Sequence, residues 1–249
     1  MTTFLQIVKG ILLGLVQGLT EFLPISSSGH LILLEKLGVA PPSVFLNLLL
    51  HVATLLAVCI LLRKDLWGWI RHPLSRESRW MILSLVPTVA LAVATEIWAK
   101  PLLAGAYVSL GFLATSFVLV LGTRLRTTQK PLSVGNALLC GLLHGLAVAP
   151  GLSRSGTTVV GMQALGIDQT RAVRLSFLLS IPVILGGTVW ECIGGVDLSG
   201  IDIPFLVSAV VAAFVSGLIS LRLMLSSFGK SLPVFALYTF ALAIVGLWI

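Results

Sequence analysis

The sequence predicts an all-α integral membrane protein: six transmembrane helices plus two re-entrant helical hairpins, arranged as an inverted-topology repeat. Three observations carry this expectation. The chain is 57% hydrophobic and 10% charged, with a mean hydropathy of +1.07, which excludes an ordinary soluble domain. Six apolar runs of about 18 to 20 residues are each long enough, at about 1.5 Å per residue, to cross a hydrocarbon core of about 30 Å. Two Gly-rich stretches with polar tips, offset by 127 residues (14 to 141), share identical residues at Gly14/Gly141, Gly18/Gly145, Ser26/Ser153, Ser28/Ser155 and Gly29/Gly156. A duplicated, interrupted apolar segment with polar tips marks a ligand site built between two halves.

In chain order, the first hairpin carries Gly14–His30, and the runs Val44–Leu62, Trp80–Trp98 and Ala104–Gly122 follow it as spans. The second hairpin carries Gly141–Thr158, followed by Ala172–Trp190, Pro204–Leu223 and Leu232–Ile249. Residues 1–249 are thus read as one membrane domain, with repeat 1 over about 1–125 and repeat 2 over about 130–249. The apolar N-terminus is a poor signal peptide, because its only early base, Lys9, lies inside the apolar run and no small-residue cleavage site follows. Cys59, Cys140 and Cys192 sit singly in apolar stretches and read as buried thiols, not disulfides or metal ligands. Trp67, Trp69, Trp80, Trp98, Trp190 and Trp248 read as interfacial anchors, and Ser75–Arg79 as a solvated cytoplasmic loop. The Gly-rich stretches are no nucleotide-binding fingerprint, since no strand precedes them, and no nucleic-acid partner is expected.

The net charge of +7 speaks first to orientation. If both polar stretches enter and leave on one face, each half is a hairpin plus three spans, and the odd number inverts the second half. One side then collects Arg63, Lys64, Arg71, Arg76, Arg79, Arg124, Arg126, Lys130, Arg171, Arg174, Arg222 and Lys230, against Lys9, Lys36 and Lys100 on the other, a 12 to 3 split. If Phe4–Leu23 and Ser133–Ala149 cross completely, the split falls to eight against seven, with Lys9 set aside. Bases collect on the cytoplasmic side, so the re-entrant arrangement is favoured, with N- and C-termini outward and the hairpins meeting inside the membrane.

Non-helical backbone at membrane depth must be buried in protein or line a watery cavity. In both tips glycine and proline bend the chain and serine can cap a following helix. Each tip then presents free backbone N–H groups and short hydroxyls, a setting that binds phosphate or another anion. Arg154 adds a permanent charge with a planar fork, and as an intramembrane Arg, which costs about 2.5–3.5 kcal/mol, it reads as a site residue rather than a strut. Glu21, on one helix face with Gln17, reads as a metal ligand or proton acceptor, with a structural pair to Arg154 as the plainer alternative. The clustered Ser26, Ser27, Ser28, Ser153 and Ser155 are candidate ligand contacts, and His30 a candidate base. His51, His72 and His144 are read as structural, His144 standing opposite Gln17 in the repeat. The four small residues Gly14, Gly18, Gly141 and Gly145 are compatible with a homo-oligomer as well as with packing of the hairpins.

These residues carry a resemblance. Gln17 to His30 resembles the (Glu/Gln)-x-x-x-Glu motif and Ser-Ser-x-Gly-His continuation of the undecaprenyl-diphosphatase family of the bacitracin-resistance type, and Pro150–Thr158 its Pro-Gly-x-Ser-Arg-Ser-x-x-Thr motif. The likeness extends over Phe45–Val58 and Ser176–Pro182, hence over essentially the whole chain. Gln17 is the amide variant of the motif, and His144 stands where Gln is more usual. The resemblance implies a bacterial inner-membrane hydrolase with its site open to the periplasm. It would convert undecaprenyl diphosphate to the monophosphate, recycle the lipid carrier of peptidoglycan synthesis, give bacitracin resistance and need a divalent cation, Mg²⁺ or Ca²⁺. Arg154, Ser153, Ser155 and Thr158 would then grip the diphosphate; Glu21, helped by Gln17, would hold the metal. Ser27 activated by His30 would be the nucleophile, or water would attack directly with Glu21 or His30 as base. The competing reading is a transporter or flippase of a prenyl phosphate or other anion, since hairpins meeting between inverted repeats are a transporter architecture.

Overall fold

The computed structural model describes residues 3–99, 104–125, 129–194 and 202–248. Lys100 and Arg126 of the charge pattern, and the chain end at Ile249, lie outside the described residues. Among the described residues there are eleven α-helices, one short 3-10 turn at Phe228–Lys230 and no strand. The chain is an all-α integral membrane protein. Length and apolar composition qualify five described helices to cross a membrane: α1 (Thr3–Phe22), α3 (Val44–Leu61), α5 (Arg76–Trp98), α9 (Gln169–Gly194) and α10 (Ile203–Ser227). Two of the six expected spans form shorter helices, α6 (Val108–Arg124) and α11 (Leu232–Val245). A turn around Gly105, at φ +81°, delays the start of α6.

The two polar stretches fold as helix–turn–helix arms. The first is α1 followed by α2 (Ser27–Lys36), and the second is α7 (Val134–Leu146) followed by α8 (Arg154–Ala164). Backbone and side-chain bonds bring each arm's exit back beside its entrance: Lys9 Nζ donates to the Gly38 carbonyl at 3.2 Å, and Lys130 N to the Gly166 carbonyl at 2.8 Å. Each arm's first helix packs closely on a long helix distant in sequence, α1 on α10 and α7 on α5. A Cβ at Gly14 would collide with the Ala209 carbonyl of α10, and one at Gly141 with the Ser84 carbonyl of α5. Ser216 and Ser220 of α10 bond back to the Gly14 and Gly18 carbonyls, and Thr88 of α5 to the Gly141 carbonyl. The shared glycines are therefore contact points within the chain.

Three sequence readings are corrected. Arg76–Arg79 is not loop but the first turn of α5, because the Ser75 side chain accepts from Ser78 N at 3.1 Å and caps the helix. Trp80 is no interfacial anchor. It is 2% exposed, packed in the core, and donates from Nε1 to Asn136 Oδ1 at 2.6 Å. Trp67, Trp98, Trp190 and Trp248 are exposed, as an interfacial position requires. The cysteines read as buried thiols from sequence; Cys140 is buried, but Cys59 is partly exposed and Cys192 exposed, and all three are free thiols.

Candidate active site

Both arm tips owe their shape to serine caps. Ser153 Oγ accepts from Gly156 N at 3.1 Å and starts α8 at Arg154; Ser26 Oγ does the same for Gly29 N at 3.4 Å and starts α2 at Ser27. Ser26 is the one non-Gly residue with positive φ (69°) among the described residues. An L-residue in that region is strained. The strain persists because neighbours hold the tip. Gly29 lies against the Phe112 ring and Gly151, and His30 Nδ1 donates to the Ser26 carbonyl at 2.7 Å. Helix α6 braces the second tip as well, with Thr115 Oγ1 donating to the Gly151 carbonyl at 2.7 Å and accepting from Ser153 N at 2.8 Å. One helix thus fixes both tips relative to each other.

Between the tips lies a cavity of ≈160 Å³. The first arm contributes Thr20, Glu21, Ser26, Ser27 and Ser28 to its wall; the second contributes His144, Ala147, Val148, Leu152, Ser153 and Arg154. His51 of α3 and Val183 of α9 complete it. Val183 follows Pro182, whose ring interrupts the hydrogen-bond ladder of α9.

Glu21 is the hub. Its carboxylate is buried, 4% exposed, and pairs through Oε1 with Arg154 Nη2. Its other oxygen accepts from Ser27 Oγ at 2.6 Å and from Gln17 Nε2 at 3.1 Å, with His51 Nε2 3.4 Å away. A buried carboxylate is tolerated only when paired and hydrogen-bonded in this way. Ser27 Oγ thus already points its proton at a base. His30 does not face Ser27 through a hydrogen bond. Its ring nitrogens are taken by the Ser26 carbonyl and by Tyr238 of α11, whose hydroxyl is 2.8 Å from Nε2. Thr158 also turns from the cavity. It is fully buried, bonded to the Arg154 carbonyl at 2.6 Å and to Ser176 Oγ at 2.5 Å. Ser155 sits 3.3 Å from Ser153 Oγ and donates to the Leu23 carbonyl, tying the second tip to the first.

The structure therefore brings Glu21, Ser26, Ser27, Ser28, Ser153 and Arg154 around one cavity, and places Gln17, His30, Ser155 and Thr158 behind its wall. It adds His51 and His144, which sequence reasoning set aside. The repeat did single out His144, as the counterpart of Gln17; nothing local marks His51. As a metal site the donor set is sparse. Among the described residues no three His, Cys, Asp or Glu side chains converge. Glu21 and the unpartnered buried carbonyl oxygen of Gln17 do fit a hard cation that keeps waters and shares ligands with a phosphate.

The sequence profile of the bacitracin resistance protein BacA family matches residues 10–245. The chain is 34% identical to an undecaprenyl-diphosphatase of Christiangramia forsetii, covering 98% of both chains. It is 35% identical to one of Carboxydothermus hydrogenoformans, covering 95% of this chain and 94% of the relative. A third, of Thermosipho melanesiensis, is 36% identical over 94% and 96%. Likeness on that scale, running through both tips and every helix that braces them, places the chain in the bacitracin resistance protein BacA family.

Proposed function

We propose that the protein hydrolyses undecaprenyl diphosphate to undecaprenyl phosphate and inorganic phosphate. The observation that carries this reading is the convergence of Ser27, Glu21 and Arg154 at the mouth of two helix N-termini, each from a different arm. Phosphoryl transfer asks for positioning and charge neutralisation above all, and this cavity offers both. The N–H groups opening α2 and α8 and the Arg154 fork receive the phosphate oxygens, which compete with Glu21 for the guanidinium. Ser27 Oγ attacks the terminal phosphorus while Glu21 Oε2, its present hydrogen-bond acceptor, takes the proton. The new Ser27 O–P bond forms as the anhydride P–O bond breaks. Undecaprenyl phosphate leaves as an anion and needs no proton. Glu21 then returns that proton to Ser27 Oγ as water attacks the phosphoserine and its O–P bond breaks, and dihydrogen phosphate leaves with both protons of the water. Ser26, Ser28 and Ser153 supply hydroxyls at the wall, and His30 holds the Ser26 turn.

Glu21, with Gln17 beside it, would hold Mg²⁺ or Ca²⁺, whose chemistry here is to neutralise charge on the diphosphate oxygens. Nothing in the relatives' names favours the transport reading. The protein is a multi-pass membrane protein, and we place it in the bacterial inner membrane, with both termini and the cavity facing the periplasm. There it recycles the peptidoglycan lipid carrier and confers bacitracin resistance. In this reading residues 1–125 and 130–249, approximately, are inverted repeats.

Phosphate release by the purified protein from undecaprenyl or farnesyl diphosphate, with and without Mg²⁺, tests the proposal. Metal-dependent release is expected, with Glu21→Ala and Arg154→Ala each losing about 10²-fold or more. No release from folded wild-type protein, or full activity in Arg154→Ala, would overturn it.

A further inference from the structure

His144 is 1% exposed, and neither ring nitrogen has a hydrogen-bond partner among the described residues. Yet it lines the cavity together with Glu21, Ser27 and Arg154. A neutral imidazole brings one donor and one acceptor, and burying both unpaired is costly. Comparison of the two arms locates the missing partner. His144 occupies the position of Gln17, four residues before the counterpart of Glu21. In the first arm Gln17 donates to that Glu21 carboxylate at 3.1 Å. In the second arm the same place is Val148, so the internal acceptor is missing. The second arm thus holds a polar side chain at this place without the protein partner that the first arm supplies.

We propose that His144 is a substrate-contacting residue whose ring N–H donates to a non-bridging phosphate oxygen of the bound diphosphate. It stands on the second arm with Arg154, opposite the Ser27–Glu21 pair, so the phosphate would be gripped from both walls. The inference rests on the hydrolase reading above and adds a residue to its phosphate-binding set. It also separates this chain's site from one with an amide at the same place, since imidazole is rigid, and its N–H direction is fixed by the ring.

The test uses the full-length protein with farnesyl diphosphate as substrate and inorganic phosphate as competitor. His144→Leu removes the donor at similar bulk, and His144→Gln restores one. A hydrogen bond to a charged group corresponds to a loss of about 10- to 100-fold when removed. In His144→Leu, kcat/KM is expected to fall, and the inhibition constant for inorganic phosphate to rise, by about that factor. His144→Gln is expected to recover to within about threefold. Wild-type kcat/KM in His144→Leu, or equal losses in Leu and Gln variants that keep wild-type unfolding temperatures, would overturn the proposal. A measurement that needs no folded variant stands beside these. In ¹⁵N-histidine-labelled wild-type protein, phosphate is expected to shift the His144 ring resonance, and an unmoved resonance under saturating phosphate also overturns the contact. Failure of wild-type hydrolysis in the same assay would instead sink the underlying enzyme assignment.

Discussion

Ser27 and Arg154 stand at the same offset of the two Gly-rich stretches. Each follows an N-cap serine, Ser26 or Ser153, and each opens a short helix at a tip of the cavity. These two corresponding places at helix N-termini carry different chemistry, a hydroxyl beside a carboxylate in one and a fixed cation in the other. The roles predict different losses. Ser27→Ala removes the attacking atom, and kcat is expected to fall by about 10³-fold or more, with no phosphoserine trapped on acid quench of a ³²P-labelled substrate. Near-wild-type turnover in that variant would assign the attack to water, with Glu21 as its base. His30→Ala is expected to cost less, since its ring is held between the Ser26 carbonyl and Tyr238. At this scale the sequence was legible where chemistry and local geometry coincide. The Ser-x-x-Gly caps and the intramembrane Glu21 and Arg154 are conspicuous in an apolar chain. Thr158 was not legible, because nothing local says that its hydroxyl bonds back to the Arg154 carbonyl and across to Ser176. His51 reaches Glu21 only because α3 packs beside α1, a tertiary fact.

The arms work as elements because their first helices approach neighbours without side chains between. Gly141 lies where any Cβ would meet the Ser84 carbonyl and the Pro87 ring of α5, whereas Gly135, one and a half turns earlier on α7, has nothing near its missing Cβ. Gly141→Leu is therefore expected to destabilise the protein by about 1–3 kcal/mol by overpacking, and Gly135→Ala to leave thermal unfolding in detergent essentially unchanged. Equal unfolding temperatures for the two variants would mean that the α5–α7 contact is loose enough to part, and that the paired glycines serve another end. The duplication of Gly14 with Gly141 was visible in sequence, but its use was not. Identical spacing is equally compatible with contacts between chains, and only the Ala209 and Ser84 carbonyls opposite these glycines show the contacts to be internal. Helix ends were the least legible feature. Ser75 reads as loop because Arg, Glu and Ser follow it, yet those residues suit a solvated first turn once the serine caps it.

For the whole molecule, the distribution of charge and the packing speak to the same question. If the two arms crossed the membrane fully, residues 63–79 would lie on the opposite face from 171, 174 and 224–231. The structure ties these segments together. Arg171 Nη2 pairs with Glu77 at 3.3 Å, Arg174 Nη1 with Asp65 at 3.2 Å, and Gly229 lies against the Gln169 side chain. These surface pairs add little stability, but they hold residues 63–79 and 171–174 at one end of the molecule, the arrangement that re-entrant arms require. The Lys9–Gly38 and Lys130–Gly166 bonds bring each arm's exit beside its entrance, as the re-entrant arrangement expects. Four single cysteines in a variant lacking Cys59, Cys140 and Cys192 decide it. Pro41, Leu74, Asp202 and Ser226 are exposed in connecting segments or near helix ends. With re-entrant arms, Pro41→Cys and Asp202→Cys share one face, and Leu74→Cys and Ser226→Cys the other. With crossing arms, Asp202 changes company to join Leu74, and Ser226 joins Pro41. A membrane-impermeant maleimide applied to intact spheroplasts is expected to label Pro41→Cys and Asp202→Cys and to spare Leu74→Cys and Ser226→Cys until the membrane is opened. Labelling of Pro41 with Ser226 instead would mean that both arms cross, and the cavity between their tips would then need a different route to water.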